Sequence, residues 1–254
     1  MSTELILAKL DRGPEIFHSI QGEGASIGVP SVFVRLSGCN LQCVWCDTDY
    51  TWNFAGTRYS HVYDANPGYQ KPEKSSVQIT MTTDDVASRV CEYQCDNVII
   101  TGGEPLLQMA AVNNLLHRIR ELNPRTTFEF ETNGTRVPSA DIDALHPQYN
   151  VSPKLSNSGM SEDKRILSGP LEFFARHERA FFKFVCAVPE DIDEVKCLVE
   201  QFSISRRKVL LMPEGTSPEA LASKRLWLME QCKETGFRFS DRLHVVAFGN
   251  KRGV

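Results

Sequence analysis

The sequence lacks any run of about 18 consecutive apolar residues, the length that a membrane-crossing helix needs. It also lacks an excess of basic charge, because 28 Lys and Arg stand against 32 Asp and Glu, for a net charge of −4. This balance provides no broad attraction for nucleic acid or for an anionic membrane. The first residues, MSTELILAKLDRG, have no basic stretch before their short apolar run, so no signal peptide is predicted. We therefore expect a cytoplasmic protein with neither a membrane nor a nucleic-acid partner.

The cysteines are clustered, but they lack the paired pattern of a zinc site. Three of the eight, Cys39, Cys43 and Cys46, lie within eight residues of one another. Structural zinc needs four closed ligands, and the nearest further candidate is His61, in a polar segment well after the triplet. Three thiolates on a four-iron cluster would instead leave one iron open to a substrate. This spacing therefore favours an iron–sulfur cluster over zinc in a cytosolic chain.

The remaining five cysteines are interpreted as ordinary packing residues, since unreactive cysteine is common in cores. They are Cys91, Cys95, Cys186, Cys197 and Cys232.

From Ser31 onward, short β-branched and aromatic runs alternate with helical stretches. Strands are predicted at 31–37, 97–101, 126–132, 148–152, 180–188, 208–213 and 243–248. Helices are predicted at 83–95, 106–122, 139–146, 161–179, 190–203 and 217–236, with starts at Thr83, Pro189 and Ser217. This alternation predicts a parallel sheet with crossover helices. We expect a single α/β domain over 1–254, a partial, incomplete TIM-like barrel with its ligands at the carboxyl ends of the strands.

One long polar segment, 49–80, interrupts this pattern directly after the cysteine triplet. A loop of this length in a compact domain is usually functional or mobile. Two interpretations stay open: an insertion that shields the metal site, or a surface excursion without a chemical role.

Two motifs together suggest a superfamily. The triplet has the form C-x3-C-x-φ-C, with Trp45 as the aromatic residue, and the next strand ends in Thr101-Gly-Gly-Glu-Pro105. Glycines at a strand end let backbone approach a ligand closely. Both motifs resemble those of the radical S-adenosylmethionine (SAM) enzymes. That resemblance implies a radical SAM core in which the three cysteines hold a [4Fe–4S] cluster whose open iron binds SAM.

Further segments make the resemblance more specific. They are Phe17-His-Ser-Ile-Gln-Gly-Glu-Gly24, Arg35, Cys46-Asp-Thr48, Glu131-Thr-Asn-Gly-Thr135 and Ser152-Pro-Lys154. In order and spacing they resemble the 7-carboxy-7-deazaguanine synthases over 14–155, and the likeness is looser afterwards. The resemblance implies ring contraction of 6-carboxy-5,6,7,8-tetrahydropterin to 7-carboxy-7-deazaguanine, with loss of ammonia, in 7-deazapurine biosynthesis of the queuosine type.

The resemblance also implies which residues make each contact. The cluster ligands would be Cys39, Cys43 and Cys46. The SAM contacts would be Trp45, Gly103, Ser152, Pro153 and Lys154. The pterin contacts would be Ile20, Gln21, Gly22, Arg35 and Thr101. Thr48 would ligate Mg²⁺, and a hydroxyl is a suitable oxygen ligand for that hard cation. The roles of His244 and Val254, near the end of the chain, stay open.

The same family implies an electron donor, such as a flavodoxin or a ferredoxin, and a homodimer. The alternative enzyme is a radical SAM activating enzyme that installs a glycyl radical on a partner protein. The alternative outside enzymology is a metal-bearing scaffold without turnover. The Gln21-Gly-Glu-Gly24 segment favours the pterin enzyme over the first of these.

Overall fold

The structure is a computed structural model that describes residues 3–254. Its strands are β1 Glu4–Leu10, β2 Gly13–Pro14, β3 Ile16–Ile20, β4 Pro30–Leu36, β5 Gln78–Thr82, β6 Asn97–Gly102, β7 Thr127–Thr132, β8 Gln148–Val151, β9 Ala180–Cys186, β10 Val209–Pro213 and β11 Arg238–Phe239. Its helices are α1 Lys74–Val77, α2 Thr83–Glu92, α3 Met109–Leu122, α4 Ala140–Asp143, α5 Glu162–Arg165, α6 Ser168–Arg176, α7 Asp191–Gln201, α8 Pro218–Thr235 and α9 Leu243–Phe248.

A run of parallel strands forms the body of the fold, in the order β4-β6-β7-β8-β9-β10-β11. The helices α2, α3, α4, α6, α7 and α8 connect successive strands of this run. On the other side of β4, the strands β1, β2, β3 and β5 join the sheet by antiparallel pairing. Within the described residues the sheet is an open path, which confirms the predicted partial barrel of parallel strands.

The two faces of β7 show how this sheet positions the site. Phe128 and Phe130 belong to the apolar core between the sheet and the helices. Glu129 and Glu131, the alternate residues, point to the opposite, inner face, because side chains alternate along a strand. The inner face of the barrel therefore carries charge that the helix-facing core excludes.

Two of the predicted elements need correction. The segment 243–248 is not a strand but the helix α9, although its β-branched composition favours extended backbone. The predicted helix 161–179 divides into α5 and α6. The helix α2 begins at Thr83, as predicted, and the hydroxyl of its N-cap residue Thr82 accepts a hydrogen bond from the Asp85 N–H at 3.2 Å.

The sequence prediction also missed the antiparallel strands at the start of the sheet. The motif that begins at Phe17 lies on β3, which pairs with β4 from Ile16↔Val34 to Ile20↔Pro30. The end of the polar segment 49–80 enters β5, which pairs with β1. No helix within residues 3–254 is long and apolar enough to cross a membrane.

Candidate active site

A cavity of about 230 Å³ lies at the carboxyl ends of the parallel strands. The predicted site residues that line it are Ile20, Gln21, Gly22, Arg35, Cys39, Cys43, Trp45, Cys46, Thr48, Thr101, Gly103, Ser152 and Lys154. Pro153 is buried between two of them but does not line the cavity. Residues separated by more than a hundred positions in sequence therefore meet in one place, as the parallel topology predicts.

The cysteine loop packs against the end of β6 at a junction that admits no side chain. Gly102 has a φ of +128°, and a Cβ there would come within 2.0 Å of the Leu36 carbonyl oxygen. A Cβ on Gly103 would come within 2.1 Å of the carbonyl oxygen of Gly38. The Glu104 N–H donates to that same Gly38 oxygen at 2.9 Å. These glycines are required because two backbones touch directly beside Cys39.

Glu104, the acidic residue of this turn, connects the ends of β6 and β7. Its buried carboxylate accepts hydrogen bonds from the Thr132 hydroxyl at 2.9 Å and from the Asn133 N–H at 2.7 Å. It also accepts from the Leu106 N–H at 3.0 Å. The turn is therefore fixed by hydrogen bonds from three different residues to one buried carboxyl group, whose pKa burial raises.

The three thiols of the loop fit an iron–sulfur cluster better than a single ion. Among residues 3–254, no other cysteine lines the cavity, and no three His, Cys, Asp or Glu side chains converge closely enough to hold one metal ion. Burial raises the pKa of all three thiols, that of Cys43 to about 11. A metal must therefore displace protons on binding, and a soft donor set of three thiolates suits iron–sulfur chemistry.

The predicted SAM contacts form one wall of the cavity. Trp45 donates its indole N–H to the Asn157 carbonyl oxygen at 2.9 Å, which fixes its ring. The Lys154 ammonium lies 5.7 Å from the centre of that ring and donates to the Ser152 hydroxyl at 3.0 Å. An aromatic face beside a cation and a hydroxyl provides surface for a ring and polar groups for an amino acid.

Another part of the cavity lining carries a network of buried and half-buried charges that the sequence prediction missed. Glu23 pairs with Lys183 at 2.5 Å and with Arg242 at 2.8 Å, and Lys183 also pairs with Glu131 at 2.8 Å. Arg242 also pairs with Asp47, which follows the last cysteine of the triplet. Burial alone would raise the pKa of Glu23, but the two cations hold it well below its usual range. This network therefore presents ionised groups at neutral pH.

The signal for part of this network was present in the sequence. Lys183 is a charged residue inside the apolar run AFFKFVC, just as Arg35 is inside SVFVRL. Arg35 pairs in register with Thr101, so both side chains stand together in the cavity. A cation within a buried strand points to a site because isolated charge is not buried without a partner.

The end of the chain also contributes to the cavity, as His244 and Val254 line it. The Leu243 N–H donates to the Gly22 carbonyl oxygen at 2.8 Å, and a Cβ on Gly22 would lie 2.3 Å from the His244 ring. Burial lowers the pKa of His244, against the opposing effect of Glu23. An imidazole that is neutral at neutral pH therefore lies against Gly22, one of the predicted pterin contacts.

The segment 49–80 packs on the cysteine loop. Trp52 is buried and lines the cavity. The His61 ring is hydrogen-bonded to the Cys46 carbonyl oxygen at 2.9 Å, and the Val62 N–H donates to the Val44 carbonyl oxygen at 2.8 Å. Of the two interpretations of this segment, these contacts support the shield over the surface excursion.

Beneath the cavity floor, Glu129 joins side chains from three parts of the chain. Its carboxyl accepts from the Gln21 amide at 2.7 Å, from the Ser26 hydroxyl at 2.5 Å and from the Asn150 amide at 2.5 Å. Burial, followed by the nearby Glu131 carboxylate, raises the pKa of Glu129 to about 7. This carboxyl therefore gives up its proton in the folded protein only near neutral pH.

We expect the variant Glu129→Gln to remove a pH dependence of stability. An unfolded Glu ionises near pH ~4.3, whereas the folded Glu129 keeps its proton to about 7. Ionisation thus disfavours the folded state, so the contribution of this group to stability falls as the pH rises through that window. The free energy of unfolding of Glu129→Gln minus that of wild type should rise by about 3 kcal/mol from pH ~4.5 to ~7.5. Denaturant melts across this range measure it, with exposed Glu178→Gln as control; a constant difference would contradict the assignment.

Comparison with known proteins identifies the class first. A family model described as a 4Fe-4S single cluster domain matches residues 20–146. Together with the three-cysteine loop at the edge of a partial barrel, this match defines a radical SAM enzyme with one cluster. The cofactors are a [4Fe–4S] cluster and SAM, as predicted.

The particular family follows from two curated relatives and one solved structure. The 7-carboxy-7-deazaguanine synthase of Pyrobaculum aerophilum is 37% identical over 94% of this chain and 95% of its own. The synthase of Halobacterium salinarum is 35% identical over 93% and 90%. The crystal structure of QueE from Escherichia coli matches with a TM-score of 0.64 at 25% identity, over 95% of each chain. The chain belongs to the 7-carboxy-7-deazaguanine synthase family, which confirms the predicted resemblance.

Proposed function

We propose that this chain converts 6-carboxy-5,6,7,8-tetrahydropterin to 7-carboxy-7-deazaguanine with release of ammonia. The observation that supports this most is that one cavity is lined both by the cysteine loop and by a network of buried and half-buried ionised side chains. A glycyl-radical activating enzyme would need room for a protein segment. Here Arg242 and His244 line the cavity, and His244 packs against Gly22, one of the predicted pterin contacts.

Arg35 is the residue suited to the carboxylate of the substrate. Its Nε donates to Glu15 at 3.0 Å, and within residues 3–254 its two Nη groups make no hydrogen bond to protein. The guanidinium lines the cavity, so these donors face the space where substrate would lie. A planar guanidinium matches a carboxylate with two parallel hydrogen bonds.

Polar groups of the floor suit the pterin ring. Gln21 donates both amide hydrogens, to Glu129 at 2.7 Å and to Glu131 at 3.1 Å, which fixes the orientation of its side chain. Glu131, in turn, accepts a hydrogen bond from the Lys183 ammonium at 2.8 Å. A carboxylate so oriented can accept hydrogen bonds from the amino and amide groups of a guanine-like ring. Preorganised polar groups of this kind give orientation without further ordering cost.

When bound, the cluster and SAM supply the radical that removes a hydrogen atom from the substrate. The role of this chain is to hold SAM against Trp45, Ser152 and Lys154 and to hold the pterin against the predicted pterin contacts. The buried Trp52 and the segment 49–80 around it exclude water from the cluster side. Exclusion of water protects a reactive intermediate from side reactions.

Thr48 is proposed to contribute its hydroxyl to a Mg²⁺ ion that also contacts the substrate carboxylate. It lines the cavity two residues after Cys46, whose sulfur lies 3.6 Å from its hydroxyl. Mg²⁺ typically keeps several waters and takes few protein ligands in sites shared with substrate. One hydroxyl on the cavity wall is compatible with that pattern.

The variant Thr48→Ala is expected to raise the Mg²⁺ concentration needed for half-maximal turnover by about tenfold, since one oxygen ligand is lost. The iron content and the visible spectrum should match those of wild type, because the thiols are untouched. Titrating Mg²⁺ against the initial rate measures this, with Thr57→Ala as a control in the same segment. An unchanged Mg²⁺ response would remove Thr48 from the metal site.

Two partners are proposed as well. A flavodoxin or a ferredoxin would supply the electron, since cluster chemistry of this class needs a reductant. A second copy of the chain would form a homodimer. Exposed apolar side chains on the outer helices, Leu226 and Met229 on α8 with Phe248 on α9, offer a surface for association.

The experiment that tests the function is anaerobic turnover. Reconstituted enzyme receives dithionite, SAM, Mg²⁺ and 6-carboxy-5,6,7,8-tetrahydropterin, and the products are measured by mass spectrometry. Formation of 7-carboxy-7-deazaguanine without stoichiometric loss of SAM is the expected result. Cleavage of SAM without this product would favour the glycyl-radical alternative, and iron-free protein would favour a scaffold without turnover.

A further inference from the structure

Arg252 holds the last residues of the chain beside the cavity. The Nη2 group of Arg252 donates to Glu15 at 2.5 Å and to the Lys9 carbonyl oxygen at 2.8 Å. Its guanidinium carbon lies 3.5 Å from the centre of the Tyr50 ring. Stacking on an aromatic ring and pairing with a carboxylate are the two contacts in which Arg differs most from Lys.

Glu15 is shared between this arginine and the arginine of the cavity. Its side chain has 0% exposure. One oxygen accepts from Arg35 Nε at 3.0 Å and from the Tyr50 hydroxyl at 3.1 Å, and the other oxygen accepts from Arg252. The carboxylate therefore connects the chain end to the residue proposed to bind substrate.

We propose that Arg252 is a positioning residue that holds Arg35 in its substrate-binding orientation by occupying the second oxygen of Glu15. This proposal rests on the proposed function, because it takes the substrate to carry a carboxylate. It adds that the two arginines compete for one carboxylate and that this competition leaves the Nη groups of Arg35 available to substrate.

The chemistry of the pair explains the competition. A lone arginine beside a carboxylate prefers two parallel hydrogen bonds. With Arg252 in place, Arg35 makes only the Nε contact. Without Arg252, the vacated oxygen is buried and unpaired, and Arg35 would turn to satisfy it because a buried carboxylate oxygen without a donor is costly. One Nη group would then leave the cavity.

The same contacts hold the chain end over the cavity. Gly253 packs so closely that a Cβ there would lie 2.5 Å from Leu10 Cδ2, and Val254 lines the cavity. Loss of Arg252 should therefore loosen the last residues as well as release Arg35. These two consequences can be measured separately.

The experiment compares Arg252→Ala, Arg252→Lys and the control Lys251→Ala in the reconstituted enzyme. Lys251 is the adjacent, exposed residue of the same tail. For Arg252→Ala we expect the KM for the pterin to rise about tenfold, the effect of losing one hydrogen bond to a charged group, while kcat changes less than about twofold. Arg252→Lys keeps the charge but loses the planar guanidinium and its stacking on Tyr50. Its KM for the pterin should therefore lie between those of wild type and Arg252→Ala. Lys251→Ala should match wild type.

Hydrogen exchange of 249–254, measured without substrate, gives a readout that is independent of turnover. The proposal is supported if Arg252→Ala exchanges faster at these residues and has a higher KM for the pterin with a nearly unchanged kcat. A variant that lowers kcat without raising KM, or that leaves both KM and exchange unchanged, overturns it. If wild type does not turn over this pterin, the proposed function fails. The positioning role of Arg252 then fails with it, and the exchange data still decide whether Arg252 anchors the chain end.

Discussion

Replacement of Cys43 by alanine is expected to abolish both the cluster and the cleavage of SAM. Three thiols line the cavity, and no other cysteine within the described residues does, so no thiol is available to replace the lost one. Anaerobic reconstitution of Cys43→Ala should give iron and sulfide at background, no visible cluster absorption and SAM cleavage below detection. The reason is chemical: a cluster on two thiolates lacks the ligands that hold it and keep one iron open.

The matched control is Cys197→Ala, since Cys197 is exposed on α7, far along the chain from the loop. That variant should reconstitute and cleave SAM as wild type does. Because burial raises the pKa of the loop thiols, that of Cys43 to about 11, cluster assembly must release protons. Reconstitution should thus bind more iron per chain at pH ~8.5 than at pH ~6.5, because the thiols must lose protons to bind iron. A Cys43→Ala protein that still binds iron and cleaves SAM would contradict the cluster assignment.

The second large effect is expected for Gly103→Ala, where a single methyl group meets backbone. The new Cβ would lie 2.1 Å from the Gly38 carbonyl oxygen and 3.0 Å from Cys39 Cβ, so either β6 or the cysteine loop must move. A displacement of about 1 Å at a reacting centre can lower a rate about a hundredfold. We expect SAM cleavage per mole of cluster to fall by about that factor.

The control is Gly169→Ala, because a Cβ on Gly169, in α6, meets nothing within 4 Å. Its activity and melting temperature should equal or slightly exceed those of wild type, since alanine favours helix over glycine. SAM cleavage and iron content, measured on both variants, separate loss of the cluster from misplacement of the loop. Wild-type cleavage by Gly103→Ala would show that the junction tolerates a side chain and that its close backbone packing is not required.

Most of the parallel sheet could be predicted from the sequence, for a physical reason. Buried strands read as short runs of β-branched, aromatic or aliphatic residues, and β6, β9 and β10 have that pattern. In β7, apolar and acidic residues alternate, which is also typical of a strand. The antiparallel strands were missed because β1 and β3 are short and include exposed residues that interrupt their apolar pattern. The cysteine loop was predictable because its ligands lie within eight residues of each other.

The helix α9 shows where local sequence is overruled by tertiary contacts. The run LHVVAF favours a strand by composition, but Arg242 fixes its beginning. That arginine bonds Glu23 at 2.8 Å and the Gly215 carbonyl oxygen at 2.6 Å, and it also pairs with Asp47. These partners come from three distant parts of the chain, so the sequence around Arg242 does not predict them. Helical backbone places His244 against Gly22.

The same reason limited prediction of the site. Lys183 lies 160 positions from Glu23, and Arg242 lies 219 positions from it. A charge within an apolar strand signals that a partner exists, but only the fold gives its identity. The motif residues were found by resemblance, whereas the network that positions them became visible only in three dimensions.

The central claim is that one cavity holds SAM against one wall and the carbon C6 of the pterin against the other. The most direct test places deuterium at C6 of 6-carboxy-5,6,7,8-tetrahydropterin and follows it through turnover by mass spectrometry. We expect deuterium in the SAM recovered after the reaction, because hydrogen would pass between C6 and the 5′ carbon within that cavity. Product formed at the normal rate with no deuterium in recovered SAM would contradict it.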